Sequence, residues 1–233
     1  MLFSSYLFIL AFLPAVVVGY FLINRYLPAV WGRLFLLSAS LAFMGLWNVH
    51  FILVLLVSVA VNLLFGSFLS RAVAKRSPIG KPVFIAAIAA NILYLGFFKY
   101  FNFFVESVSA VLPVSAGATS ILLPVGISFY TFMQIAWLTD IYRHGGYRYN
   151  FLTYGLYVTF FPYVISGPIA YHREIIPQLE AQDKKRINWA NIRRGLFIFS
   201  IGLFKKAAIA DTLAVIADGG FAAAGAPTFT EAG

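Results

Sequence analysis

The side chains in this 233-residue chain best suited to chemistry lie between Leu122 and Gln134. Pro124 suits the opening of a helix, Gly126 allows another backbone to come close, and Ser128, Thr131 and Gln134 recur at spacing three on one drifting face. Two readings of that polar face stand side by side. It supplies interhelical hydrogen bonds, worth about 0.6 kcal/mol each in a membrane, or it lines a tunnel for a partly polar substrate. Asp140 and Arg143, three apart on the same helix, read as a surface ion pair of little energetic weight. The histidines are His50 at a helix boundary, His144 in a loop and His172 beside a Gly-Pro turn. None belongs to a His-x-x-x-His, paired-carboxylate, Gly-x-Ser-x-Gly, phosphate-loop or dinucleotide pattern, so each reads as an interface or loop residue. His172, followed by Arg173 and Glu174, is the best placed of them for acid–base work. With 0 Cys, thiolate metal sites, disulfides and a Cys nucleophile are excluded within these residues.

The elements that position these groups must be membrane elements. Apolar residues make up 61% of the chain and charged residues only 11%, against about 25% charged in a soluble domain. Disorder is excluded by the same numbers, since disordered chains are polar and poor in aromatics. A net charge of +9 would suggest nucleic acid in a soluble protein. Here the Lys and Arg sit in short gaps between apolar runs, as in the cytoplasmic loops of polytopic proteins, and no nucleic-acid partner is expected.

The first run, Tyr6 to Ile23, has no cation before it and Asn24-Arg25 after it, the reverse of a cleaved signal peptide. It reads as a transmembrane helix with its N-terminus outside the cytoplasm and a kink at Pro14. Leu34 to Trp47 and Phe51 to Leu69 follow, and the second ends at the most basic loop, Arg71 to Lys81. The positive-inside rule places that loop, Arg25 and Arg33 in the cytoplasm. Pro82 fits the first turn of a fourth helix running past Lys99 and Glu106 towards an outer loop at Pro113 to Thr119, and a fifth, Pro124 to Tyr142, returns to basic Arg143 to Arg148.

Phe151 to Ile165 breaks the regularity, being only 15 residues long (151 through 165) with Pro162 near its end and Ser166-Gly167-Pro168 after it. The loop beyond, Tyr171 to Arg194, is again basic through Arg173, Lys184, Lys185 and Arg186. Both flanks inside imply a re-entrant element, which survives only when buried in protein or lining a wet cavity; the alternative is a full span oriented by something else. The last run, Gly195 to Ile216, carries Lys205 and Lys206, which either snorkel to the surface or face a polar cavity. The fold class expected is all-α: a polytopic integral membrane protein with a re-entrant segment, residues 1–233 forming part of one domain.

At Leu123 to Gln134, Asp140 to Arg143, Phe160 to Ile169, Arg173-Glu174 and Pro177 to Leu179, the chain resembles the membrane-bound O-acyltransferase family, most closely the bacterial branch that acetylates alginate. Met1 to Phe8, Lys99 to Phe103, Gly202 to Lys206 and Ile209 to Asp211 match as well. The resemblance implies a helical funnel in the bacterial inner membrane. An acyl group, from acetyl coenzyme A or an acyl carrier, passes through it to hydroxyls of an exported polysaccharide such as alginate. It also implies extracytoplasmic acetylation proteins as partners, no bound cofactor and no metal. In that family the catalytic His lies in the second half, expected beyond Gly233, so no catalytic role is carried onto these residues. What carries over is the tunnel and funnel wall: Pro124, Gly126, Ser128, Tyr130, Gly167, Pro168, Arg173 and Glu174. A transporter or channel subunit with a broken helix, and a related enzyme moving D-alanine to teichoic acid, are the other readings.

Overall fold

The computed structural model describes residue 3 and residues 5–111, 121–165, 167–181 and 187–225, without the side chains of residues 106, 108, 110, 111 and 221–225. The expected outer loop at Pro113 to Thr119, Ser166, and Lys184 to Arg186 lie outside the described residues. The described residues are 83% helical, with no strand among them. Its helices are α1 (Leu13–Tyr26), α2 (Ala29–Gly45), α3 (Val49–Ala74), α4 (Gly80–Val111), α5 (Ile127–His144), α6 (Phe151–Thr159), α7 (Phe161–Val164), α8 (His172–Glu180), α9 (Trp189–Phe204) and α10 (Asp211–Gly225). Phe8–Tyr26, Val49–Ala74 and Gly80–Val105 are long and apolar enough to cross a membrane, and Ala29–Gly45 is a shorter apolar helix. The protein is an all-α membrane protein.

The kink expected at Pro14 takes the form of a π-helical turn, Phe8–Phe12, just before it, in which the Leu13 N–H reaches the Phe8 carbonyl. Proline has no N–H to offer the carbonyl four residues back, and a widened turn absorbs the mismatch.

The chain divides into two compact units, Val16–Lys185 and Met1–Ala15 with Arg186–Gly233. In the smaller unit α9 continues through a π-helical turn, Lys205–Ala210, into α10, and the Lys206 ammonium pairs with Asp211 at 2.5 Å across that turn. A pocket of about 280 Å³ is lined there by Phe3, Phe199, Gly202, Leu203 and Lys206.

The larger unit is organised around α5. Trp137, Tyr130, Met133, Leu138 and Ile141 of α5 are buried with Leu55, Val59 and Leu69 of α3 and with Tyr154 and Tyr157 of α6. Gly66 on α3 leaves the space that the Trp137 ring fills, since a Cβ there would overlap it. Polar pairs join the helices where lipid offers no partner. Asn62 on α3 and Asn91 on α4 exchange side-chain hydrogen bonds of 3.2 and 2.6 Å, and Gln134 donates to Ser58 Oγ at 2.9 Å.

Helix α5 starts three residues later than Pro124. Gly126, with φ +77°, forms its left-handed N-cap, and the Pro124 carbonyl accepts from the Ile127 N–H at 3.2 Å. An added Cβ on Gly126 would run into the Val164 carbonyl oxygen. Gly126→Ala is therefore expected to lower stability by roughly 1–3 kcal/mol through the combined backbone and contact strain. Gly96→Ala, which meets nothing within 4 Å in α4, should leave it equal or raise it. The thermal midpoint of the detergent-solubilised protein checks both.

Candidate functional site

The segment read as re-entrant breaks and turns back on itself. Pro162 cannot donate to the Val158 carbonyl, and its ring disfavours helix just before it. The helix accordingly breaks at Phe160 (φ −56°, ψ 115°), and α7 restarts for one turn. Several backbone groups at the break find a side chain or another turn. The Phe161 N–H donates to Ser40 Oγ of α2 at 3.2 Å, the Tyr163 hydroxyl donates to the Tyr157 carbonyl at 2.5 Å, and the Tyr157 hydroxyl donates to the Ala170 carbonyl at 2.7 Å. The Gly167 N–H closes the turn on the Tyr163 carbonyl at 2.9 Å. A Cβ on Gly167 would overlap Tyr163, which is why the return is made at a glycine.

The two feet of this hairpin meet. Thr153, in the first turn of α6, donates through Oγ1 to Glu180 Oε1 of α8 at 3.2 Å and accepts from Arg33 Nη1 of α2 at 3.3 Å. Tyr149, just before α6, is hydrogen-bonded to His172 Nδ1, at the start of α8, at 2.9 Å. The chain that leaves at Asn150 is thus back beside its starting point at His172. Arg148 Nε also donates to Ser70 Oγ at 3.0 Å, so the ends of α3 and α5, the start of α6 and Arg33 share one basic end of the unit.

His172 is the surprise of the site. Its side chain is 1% exposed, and its Nε2 lies 2.9 Å from Asp140 Oδ2. Arg173 Nε also reaches Asp140 Oδ2, at 3.0 Å, and Arg173 Nη2 donates to His144 Nδ1 at 2.7 Å. The surface pair expected between Asp140 and Arg143 is not what forms, because the return of the hairpin delivers two better-placed partners to the same carboxylate. Protonation follows by elimination. A carboxylate held by a guanidinium is ionised and can only accept; His172 Nε2 therefore carries a hydrogen, Nδ1 carries the lone pair, and the Tyr149 hydroxyl donates to it. Burial holds the His172 imidazole below its ordinary value, against the opposing pull of Asp140. Burial, with Tyr147, Glu180 and Asp140 nearby, pushes the Tyr149 phenol up to about 12.

The residues expected to wall a tunnel fall into two groups. Gly126 abuts the Val164 carbonyl, and Gly167 folds onto Tyr163, so the tip of the hairpin and the start of α5 are brought together. Pro124 is buried and Pro168 exposed; Ser128 is half-buried, and the Tyr130 hydroxyl pairs with that of Tyr94 at 2.8 Å. Arg173 lies instead with Asp140 at the other end of α5, about 20 Å away at 1.5 Å per residue, its guanidinium carbon 4.9 Å from the centre of the Tyr147 ring. Glu174 is exposed in the first turn of α8. Of the polar face on α5, Gln134 is an interhelical hydrogen-bonding residue, donating to Ser58 and accepting from Tyr154. Thr131 Oγ1 is buried with no hydrogen-bond partner among the described residues. Asp140, Tyr149 and Arg33 were not singled out by sequence as companions of His172. Asp140, nine residues before Tyr149 and 32 before His172, gives no local spacing signal. No group of three or more metal-ligating side chains occurs among the described residues.

Comparison with known proteins bears out the resemblance read from the motifs. The chain is 35% identical, over its whole length, to a "Peptidoglycan O-acetyltransferase" of Helicobacter pylori, matching 49% of that protein. It is 34% identical over 95% of its length to a "Probable alginate O-acetylase AlgI" of Pseudomonas aeruginosa, and 33% identical over 95% to the protein of that name in Azotobacter vinelandii, matching 42% and 44% of them. The chain spans about half the length of the curated relatives it matches, corresponding to their N-terminal halves. Neither a protein-family model nor a solved structure matches it. The relatives do not favour a transporter or channel.

A group with a lowered pKa stabilises the fold in full above its ordinary pKa and loses that contribution as pH falls below it. The groups facing His172 are Asp140 of α5, Tyr147 and Tyr149 of the loop, Tyr157 of α6 and Arg173 of α8, with His144 beside Asp140 and Glu180 near Tyr149. Acidification from about pH 7 to below 6.5 should therefore lower the thermal midpoint of the wild type more than that of His172→Gln, which has no proton to gain. Parallel melting curves across that range decide it.

Proposed function

We propose that this chain forms the donor side of a membrane-bound O-acetyltransferase that esterifies hydroxyls of an exported polysaccharide of the peptidoglycan or alginate kind. The observation that carries this is 33–35% identity along 95–100% of the chain to proteins named as O-acetyltransferases of those polymers. The geometry agrees with it. A hairpin with a satisfied, broken backbone, reaching about 20 Å alongside α5, is the kind of element that shapes a protected passage rather than a lipid-facing span. The end where its feet meet is basic, and a net charge of +9 attracts a phosphate-bearing donor such as acetyl coenzyme A or an acyl carrier.

On this reading the basic loops face the cytoplasm of a bacterial inner membrane, the N-terminus lies outside, and the polymer and its acetylation partners meet the enzyme on the outer side. The acid–base His that acts on the polymer hydroxyl is supplied by sequence that follows these residues in the longer relatives. Disrupting the gene should remove the alkali-labile acetyl esters from the envelope polysaccharide, and restoring it should bring them back; an unchanged ester content overturns the assignment. Sidedness has its own check, to which these 233 residues contribute no Cys background. Arg76→Cys should react with an impermeant maleimide only from the cytoplasmic face, and Leu46→Cys only from the other.

A further inference from the structure

The geometry points to Tyr149 as an acyl acceptor in its own right, loaded with an acetyl group from a thioester donor by His172 acting as general base and oriented by Asp140. It rests on the acetyltransferase reading above and adds a covalent station to it. The three groups have the spacing of an activated nucleophile: hydroxyl to Nδ1 2.9 Å, Nε2 to carboxylate 2.9 Å, and the carboxylate held in turn by Arg173 at 3.0 Å. The other buried phenols are differently engaged. The hydroxyls of Tyr157, Tyr163 and Tyr94 donate to carbonyls, that of Tyr154 to the Gln134 amide, and that of Tyr130 to the Tyr94 hydroxyl. Tyr149 is the phenol set against an imidazole, in the helix-free stretch before α6, and its side chain is partly exposed while its base is buried.

Helix α8 begins at His172 itself, and Tyr171 provides no side-chain cap, so the positive end of that helix lies at the residue that carries the base. Such an end favours the oxyanion formed when a carbonyl is attacked.

The step balances without any redox partner. The Tyr149 oxygen attacks the thioester carbonyl carbon while its proton passes to His172 Nδ1. The C–S bond breaks, the proton moves from Nδ1 to the departing thiolate, and the products are a free thiol and an acetyl ester on Tyr149. A phenol (pKa about 10) and a thiol (about 8.5) are comparable leaving groups, so the aryl ester keeps most of the activation of the thioester and can pass its acetyl on to an aliphatic hydroxyl. Because the phenol is held protonated, attack requires a base at its oxygen, which the imidazole supplies.

The test uses bacterial membranes carrying the protein, incubated with radiolabelled acetyl coenzyme A or an acetyl-loaded acyl carrier, quenched in acid and mapped by peptide mass spectrometry. The expected result is an acetyl ester on Tyr149, released by neutral hydroxylamine; with 0 Cys the label cannot be a thioester on this chain. Tyr149→Phe should abolish it. His172→Gln should slow loading by roughly 10²–10⁴ and flatten its pH profile, while Tyr142→Phe, which keeps the stack on Phe84, should load as the wild type does. Equal thermal midpoints show that the variants are folded, and Asp140→Asn gives a second, isosteric, slowed variant should His172→Gln fail. An unlabelled Tyr149 in the wild type, or equal labelling in Tyr149→Phe, overturns the proposal. Acetylated polymer with unmodified Tyr149 leaves the acetyltransferase reading standing and removes the station; a loaded Tyr149 with unaltered polymer does the reverse.

Discussion

A broken helix inside a membrane protein must answer for every backbone group it releases, and the break at Phe160 governs the architecture of the larger unit. Leaving one such group buried and unsatisfied costs roughly 1–3 kcal/mol, and water is scarce at that depth. Ser40 of α2 takes the Phe161 N–H, and the Tyr163 hydroxyl takes the Tyr157 carbonyl. These contacts fix α2 and α6 side by side. They also explain why so short a segment carries buried Tyr154, Tyr157 and Tyr163: each phenol buries an aromatic ring and brings one hydroxyl to a place where the backbone or a neighbouring amide needs it.

The charged end is governed by the complementary constraint, that a partly buried carboxylate needs hydrogen-bond donors around it. Asp140 has the Arg173 guanidinium and the His172 Nε2 hydrogen at one oxygen. Arg173 donates to the carboxylate, and the carboxylate in turn keeps the imidazole in one tautomer. A chain of assignments from Arg173 to the Tyr149 hydroxyl therefore follows from a single fixed charge. Energetically the pairs are modest, since Arg173 is 39% exposed on its side chain and exposed pairs are screened. Their contribution is orientation, which a half-buried cluster supplies more dependably than stability.

The fold was largely legible in the residues, because its main signals are local. Apolar length gave the spans, Pro82 fell in the first turn of α4, and Pro162 with Gly167 marked a segment too short to cross. The basic gaps located one end of the unit, and the hydrogen bonds from Arg33 and Arg148 show that residues 120 and 78 positions apart in sequence do share it. The site was much less legible. Asp140 looked like the partner of Arg143 because helix spacing is visible and hairpin return is not; once α8 is delivered beside α5, a ring from residue 172 outcompetes a neighbour three residues away. Thr131 and Gln134 looked alike on the page, yet only Gln134 is long enough to reach both Ser58 and Tyr154.

The separation between the hairpin tip at Gly126 and Gly167 and its feet at Asp140 and His172 bears on mechanism. Both places are held by contacts that tolerate little change, a left-handed glycine against a carbonyl at one and a fully hydrogen-bonded imidazole at the other. Gly126 and Asp140 lie about 20 Å apart along α5, too far to act on the same bond of a small substrate. A passage does use two such places, one where cargo is received and one that shapes the path onward. On the acetyltransferase reading proposed above, a carrier thioester is too bulky and too charged to enter an apolar bundle, whereas an acetyl group is neither; detaching the acetyl at the feet of the hairpin is what would let the tip remain narrow and dry.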